Sequence, residues 1–287
     1  MLHLREDAVE KQGDRMKKEA LEFSTLLEYQ KNRYLVGVRF IRTQLEYENL
    51  TERELKHQLF YCLMIKAGTV GHIFKARYQN IYCPAASQIL GFEKPDERSL
   101  NPDIQVKRGF YEKRELAEKV INERPYLTDE VYGLLIGPLE KHKVEPDLVL
   151  SISKPYTAMR IIQAYEYKRG HCENLKFGGM SGMCTELTAA SMKNNNLSFS
   201  LMCSNTRFSA SWKDDEVAIS MPYDCFLDVL DGLWKTVNVY EPDKKKIEIM
   251  KRAKENGLEC SFPLDVNYFD SCMGVAPIGV KEYFKKK

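Results

Sequence analysis

The chain has 287 residues and a mass of 33.3 kDa, with 44% hydrophobic side chains and 43 Lys and Arg against 41 Asp and Glu, a formal net charge of +2. That hydrophobic fraction excludes a mostly disordered chain, and the near balance of charge removes the global positive field on which non-specific nucleic-acid binding depends. No run approaches the roughly 18 to 20 consecutive apolar residues of a membrane span, and the stretch from Met1 to Asp7 lacks the basic-then-apolar layout of a signal peptide, so a cytoplasmic protein without a membrane partner is expected.

From Arg5 to about Asn32 the chain is charged and periodic, with Ala8, Met16, Ala20, Phe23, Leu26 and Leu27 on one stripe, which predicts an N-terminal amphipathic helix. The β-branched and aromatic run 34–41 predicts a strand. Thr51 and Glu54 have the spacing of a capping box and predict a helix through Leu55, Leu59, Cys62 and Ile65 that ends at Gly68 and Gly71. A strand within 72–82 precedes Cys83, which stands at the cap of a short helix opened by Pro84 and closed by Gly91. After a loop at 93–106 and a charged helix at about 111–123, two apolar runs at 132–138 and 147–153 are short enough to be buried strands. Pro155 opens a helix closed by Gly170. The cluster Gly178, Gly179 and Gly182 leads to Cys184 and a short helix, and strands follow at 197–202 and 217–221, with helices at 222–234 and about 242–256.

Strands separated by helices indicate an α/β or α+β fold, a mixed sheet flanked by helices. The organisation is read as a leader helix at 1–33, one α/β domain at 34–237 and a C-terminal helix and tail at 238–287. The domain contains an internal echo: strand, helix with Cys62, strand and Cys83 match in order strand, helix, Cys184, strand and Cys203, which suggests similar halves at 34–106 and 130–237.

Eight cysteines are many for a cytosolic chain, and none lies in a Cys-x-x-Cys pair, which counts against zinc ribbons, thioredoxin-type dithiols and ferredoxin runs. Cooperating thiols must therefore come from distant segments. Cys62, Cys83, Cys184 and Cys203 form the candidate set. Cys83 and Cys184 stand near helix starts, where the positive end of the dipole favours thiolate, and Cys203 begins a polar loop running to Arg207. For Cys62 alone, and more so for Cys225, core packing is the plainer reading. Cys172, Cys260 and Cys272 have no convergent neighbours in sequence, and no role is assigned to them.

The segments 62–68, 82–86 and 90–91, followed in order by 147–150, 159–165, 182–184, 201–207 and 215–222, resemble the blocks of domain-of-unknown-function family number 169. The likeness spans roughly residues 20 to 235 and rests on the order of individually weak blocks. It implies a cytoplasmic protein of the kind found in anaerobic bacteria and archaea, with the four grouped cysteines inside the family pattern and Cys172, Cys225, Cys260 and Cys272 outside it. The chain departs from that pattern at Leu35 to Val38, where a Pro-Val-Ala-Val-like segment is usual, and at Ser204 and Asn205, where a glycine is frequent.

Four soft thiolates with no histidine favour iron–sulfur, zinc or copper(I) over harder metals, and a [4Fe–4S] cluster is the leading reading, with zinc, as a closed structural site, behind it. The expected function is a cluster-related or redox role, with a redox partner or a small-molecule ligand. The alternative is a metal-free protein or enzyme that binds an anionic ligand through Gly178, Gly179 and Gly182 with Arg207. A third reading takes the leader helix and the basic segment 243–254 as docking surfaces.

Overall fold

A computed structural model describes residues 2–29, 33–173 and 175–259, with the side chains of residues 2–10 left aside; Cys260, Cys272 and the tail lie outside the described residues. Six strands form one sheet: β1 (Val36–Ile41), β2 (Phe74–Arg77), β3 (Gly133–Pro138), β4 (Leu148–Ser153), β5 (Ser198–Ser200) and β6 (Val217–Pro222), in spatial order β2-β3-β1-β4-β6-β5. The fold is α/β in composition, but all five pairings are antiparallel, where strand–helix alternation suggested a mixed sheet. Apolar periodicity identifies a strand without encoding the direction of its partner. Here the third strand of each set inserts between the first two, antiparallel to both.

The strand order is the same in both directions from the centre. On one side β3 separates β1 from β2, and on the other β6 separates β4 from β5. Registers match as well. Val36 pairs with Pro138 as Leu148 pairs with Pro222, and Phe74 pairs with Ile136 as Ser198 pairs with Ser220. At the seam, β1 and β4 pair symmetrically about Gly37 and Val149. The sheet thus has a pseudo-twofold axis normal to its plane. This arrangement groups β3 with the first set of strands.

Alternation sends Val36, Val38, Leu134, Ile136, Leu148, Leu150 and Ile152 to one face, under the helices Tyr61–Thr69 and Pro84–Ile89 and the helical turn Gly182–Ala189. Val149, Val217, Ile219 and Met221 face the other layer, made of the leader helix Leu2–Leu27 and helices Pro155–Arg169, Tyr223–Lys235 and Asp243–Glu255. The leader helix buries Met16, Ala20 and Phe23 there; Met16 and Phe23 are each worth about 1.5 to 3 kcal/mol by transfer from water. Arg252 of the basic helix donates to the Thr25 carbonyl. The two segments read as docking surfaces therefore pack on the core and on each other.

Two local expectations are corrected. Thr51 does not cap a helix: residues 51–60 contain no helix, with isolated bridges from Glu54 to Lys75 and Leu59 to Ile81, and the helix begins at Tyr61. The capping role belongs to Thr43, whose hydroxyl accepts from the Glu46 amide at the start of helix Gln44–Asn49. Between 93 and 106, two short helices, Glu97–Leu100 and Pro102–Lys107, are capped by Asp96 and Asn101, residue types that favour caps as readily as loops.

Candidate functional site: a four-cysteine cavity

The pseudo-symmetry places the four grouped cysteines in corresponding positions. Cys62 lies in the first turn of helix Tyr61–Thr69, between β1 and β2, and Cys184 in the first turn of Gly182–Ala189, between β4 and β5. Cys83 follows β2 as the N-cap of Pro84–Ile89, and Cys203 follows β5 as the N-cap of Ser204–Ala210. All four line one cavity of about 370 Å³. Cys62 and Cys184 are buried in it, while Cys83 and Cys203 are partly exposed. Each half contributes one deep thiol and one shallower thiol.

The backbone around the cavity is unusual on the second half only. Gly182–Ala189 is π-helical, a rare geometry that collects at functional sites, and the Thr188 hydroxyl donates to the Met183 carbonyl at 2.9 Å, five residues back. The same hydroxyl lies 3.0 Å from Tyr61 Oη, which ties the two halves across the site. Ser181 and Met202, with φ of 56° and 66°, hold left-handed conformations that cost free energy for non-glycine residues. A side chain at Gly182 would meet the Cys203 amide nitrogen at 2.9 Å, so glycine is what lets the turn reach the Cys203 segment.

Burial dominates the electrostatics of the deep pair. It pushes the Cys184 thiol up to about 12, with Cys83 and Cys203 adding to the shift, and it raises the Cys62 thiol, against the opposing hydrogen bond from Thr206. The helix-start argument for a Cys184 thiolate is therefore outweighed by desolvation. Thr206 Oγ1 is 3.0 Å from Cys203 Sγ, and it is near enough to Cys62 to oppose the shift there. In the sequence, Thr206 falls within the stretch from Cys203 to Arg207 that reads as a polar loop. That segment is a helix, and the three-residue step from an N-cap brings Thr206 back over the Cys203 sulfur.

Among the described residues, no three His, Cys, Asp or Glu side chains are placed to share one metal ion. A single ion with metal–sulfur bonds of about 2.3 Å holds its sulfurs roughly 3.8 Å apart, the edge of the tetrahedron. A cluster sets its thiolates wider, because each bonds a different iron.

The glycine loop does cradle an anion, but the anion belongs to the chain. Gly178 and Gly179 donate their amides to Glu186 Oε1 at 2.8 and 3.1 Å, and Ser200 Oγ donates to the other oxygen. Arg207 does not line the cavity. Its guanidinium donates to the carbonyls of Leu201, Lys213 and Glu216 and so clips the 201–216 segment together. Glu186 was not singled out from the sequence, where nothing distinguishes a buried carboxylate from a helix-surface one. Of the other cysteines, Cys225 is fully buried in the opposite layer, and Cys172 donates to the Leu197 carbonyl at 3.2 Å.

The chain matches DUF169, the uncharacterised ArCR family, over residues 28–232. It belongs to that family. The matched stretch contains both halves of the sheet and all four cavity cysteines, while Cys260 and Cys272 fall beyond it. The uncharacterized protein MJ0308 of Methanocaldococcus jannaschii is 27% identical over 191 residues, covering 65% of this chain and 79% of that relative. No solved structure matches. Among the described residues, no helix is long and apolar enough to cross a membrane.

Proposed function

We propose that the chain holds a thiolate-bound metal centre, an iron–sulfur cluster of the [4Fe–4S] class, with Cys62, Cys83, Cys184 and Cys203 as ligands and a redox or cluster-related role. The observation that supports this reading is the meeting of four thiols from four distant segments in one cavity, a pair from each half. The donor set fits the group, being all soft sulfur with no oxygen or imidazole ligand. Among the described residues no three such side chains are placed to share one ion, which disfavours a lone zinc ion. When bound, such a cluster supplies one-electron chemistry. The protein contributes an apolar wall with Phe60, Met183 and Phe110, and the Thr206 hydroxyl, 3.0 Å from Cys203 Sγ, to tune sulfur basicity. The raised Cys184 and Cys62 thiols must give up their protons to solvent to bind a cationic centre, so loading releases protons and weakens at low pH.

The metal-free reading, an anionic ligand held by Gly178, Gly179, Gly182 and Arg207, is weaker, because the Gly178 and Gly179 amides and that guanidinium already have partners within the chain. Purification without oxygen, followed by iron, sulfide and zinc analysis and a visible spectrum, tests the proposal. About four irons and four sulfides per chain, lost together in each single Cys→Ser variant of the four, is the expected result. Protein that stays colourless and takes up no iron or sulfide on reconstitution would refute it, and zinc alone would redirect it to a structural site.

A further inference from the structure

A second cavity, of about 610 Å³, shares Met180 with the thiol cavity. Its walls are helix Arg114–Glu123 with Arg124 and Pro125 at its end, the loop 176–180, and the residues from Thr185 to Asn194. Four cations line it, Lys119, Arg124, Lys176 and Lys193, with two carboxylates. Both carboxylates are engaged: Glu186 by two amides and the Ser200 hydroxyl, and Glu123 by Lys176 at 3.1 Å. Among the described residues Lys119, Arg124 and Lys193 have no ion-pair partner, and with both carboxylates counted the four cations leave the lining a net formal charge of +2. Between them lie apolar surfaces from Val120, Phe177 and Met180.

A concave site of roughly 300 to 1,000 Å³ with an apolar lining and a few convergent charges has the dimensions of a small-molecule site. We propose that this cavity binds an organic anion with a carboxylate or phosphate head and an aliphatic or aromatic body. Arg124 offers a planar fork that matches either head group, and Lys119 and Lys193 add point charge. The body would lie along Phe177 and Met180, and through Met180 against the wall of the four-cysteine cavity. This site goes beyond the thiol reading and stands without it, since none of its charged residues belongs to the cysteine set.

Calorimetric titration of the full chain with hexanoate and with phenyl phosphate, each beside its neutral counterpart, hexanamide or phenol, tests the proposal and tells the two head groups apart. One anion is expected to bind one per chain, with the neutral counterpart about tenfold weaker, and Arg124→Gln and Lys193→Gln each about fivefold weaker or more. Lys244→Gln, on another helix, leaves binding unchanged. Neutral compounds binding as well as the anions, no anion binding at millimolar concentration, or variants that bind as the parent does would each overturn it. Repeating the titration on protein stripped of metal by chelation keeps this outcome separate from that of the cluster proposal.

Discussion

The Gly178 amide donates to Glu186 Oε1 at 2.8 Å, and through this contact a buried carboxylate holds the loop that lines both cavities. Glu186→Gln keeps the shape and removes the charge. Hydrogen bonds to a charged group are worth about 1.5 to 3 kcal/mol each, so a loss of about that size is expected in urea denaturation, with faster limited proteolysis at 176–180. An unchanged midpoint and cleavage rate would show that the carboxylate does not fasten the loop.

Thiol reactivity should separate the deep and shallow cysteines. In metal-free protein at pH 8, a thiol raised to about 12, as at Cys184, is thiolate in about one molecule in ten thousand, and it is also shielded from solvent. Ellman's reagent is therefore expected to modify Cys83 and Cys203 well before Cys62, Cys184 and Cys225. Mass mapping of the labelled peptides gives the order, and Cys184 reacting as fast as Cys203 would contradict the burial described above.

At Gly182 a methyl group would stand 2.8 Å from Ser200 Oγ and 2.9 Å from both the Cys203 amide nitrogen and Met202 Cα. Two of those three neighbours are backbone, so the Cys203 segment must move. Gly182→Ala is expected to cost about 1 to 3 kcal/mol, the usual range for overpacking, and to speed the labelling of Cys203. Calorimetric melting and the labelling assay read the two effects separately.

His142 supplies a pH dependence unrelated to the thiols. Its ring is buried, with Nε2 3.1 Å from the Gly37 carbonyl, and desolvation holds its pKa at about 4, against 6.5 in an exposed ring. The folded state thus binds fewer protons than the unfolded chain between those values, and stability falls as pH drops from about 6.5 to about 4, by about 3 kcal/mol at most. Denaturation midpoints across that window should fall less steeply in His142→Gln. Parallel curves for variant and parent would remove His142 as the cause.

Much of this architecture was legible in local pattern. The strands at 36–41, 133–138, 148–153 and 217–222 follow apolar runs, and helix Pro84–Ile89 starts at its proline, with Gly91 just beyond it at a φ of 85°. The four site cysteines could be grouped because their order relative to strands repeats, even where the flanking residues do not. Two other features left no local mark. The direction of each strand pairing depends on partners distant in sequence, and the π-helical turn at 182–189 contains residues that an ordinary helix would accept. The Glu186 seat was hidden for a related reason, because its donors are backbone amides, which every sequence has.

Beneath the four cysteines, the seam between β1 and β4 consists of three residue pairs, from Val36 with Leu150 to Val38 with Leu148, while each of these strands pairs over six residues with its other neighbour. A small rotation about that short seam alters distances across the cavity and leaves those within either half unchanged. A ligand held by all four sulfurs would therefore also clasp the two halves, and its loss or change of size would be felt as a shift in how the two wings of the sheet are set.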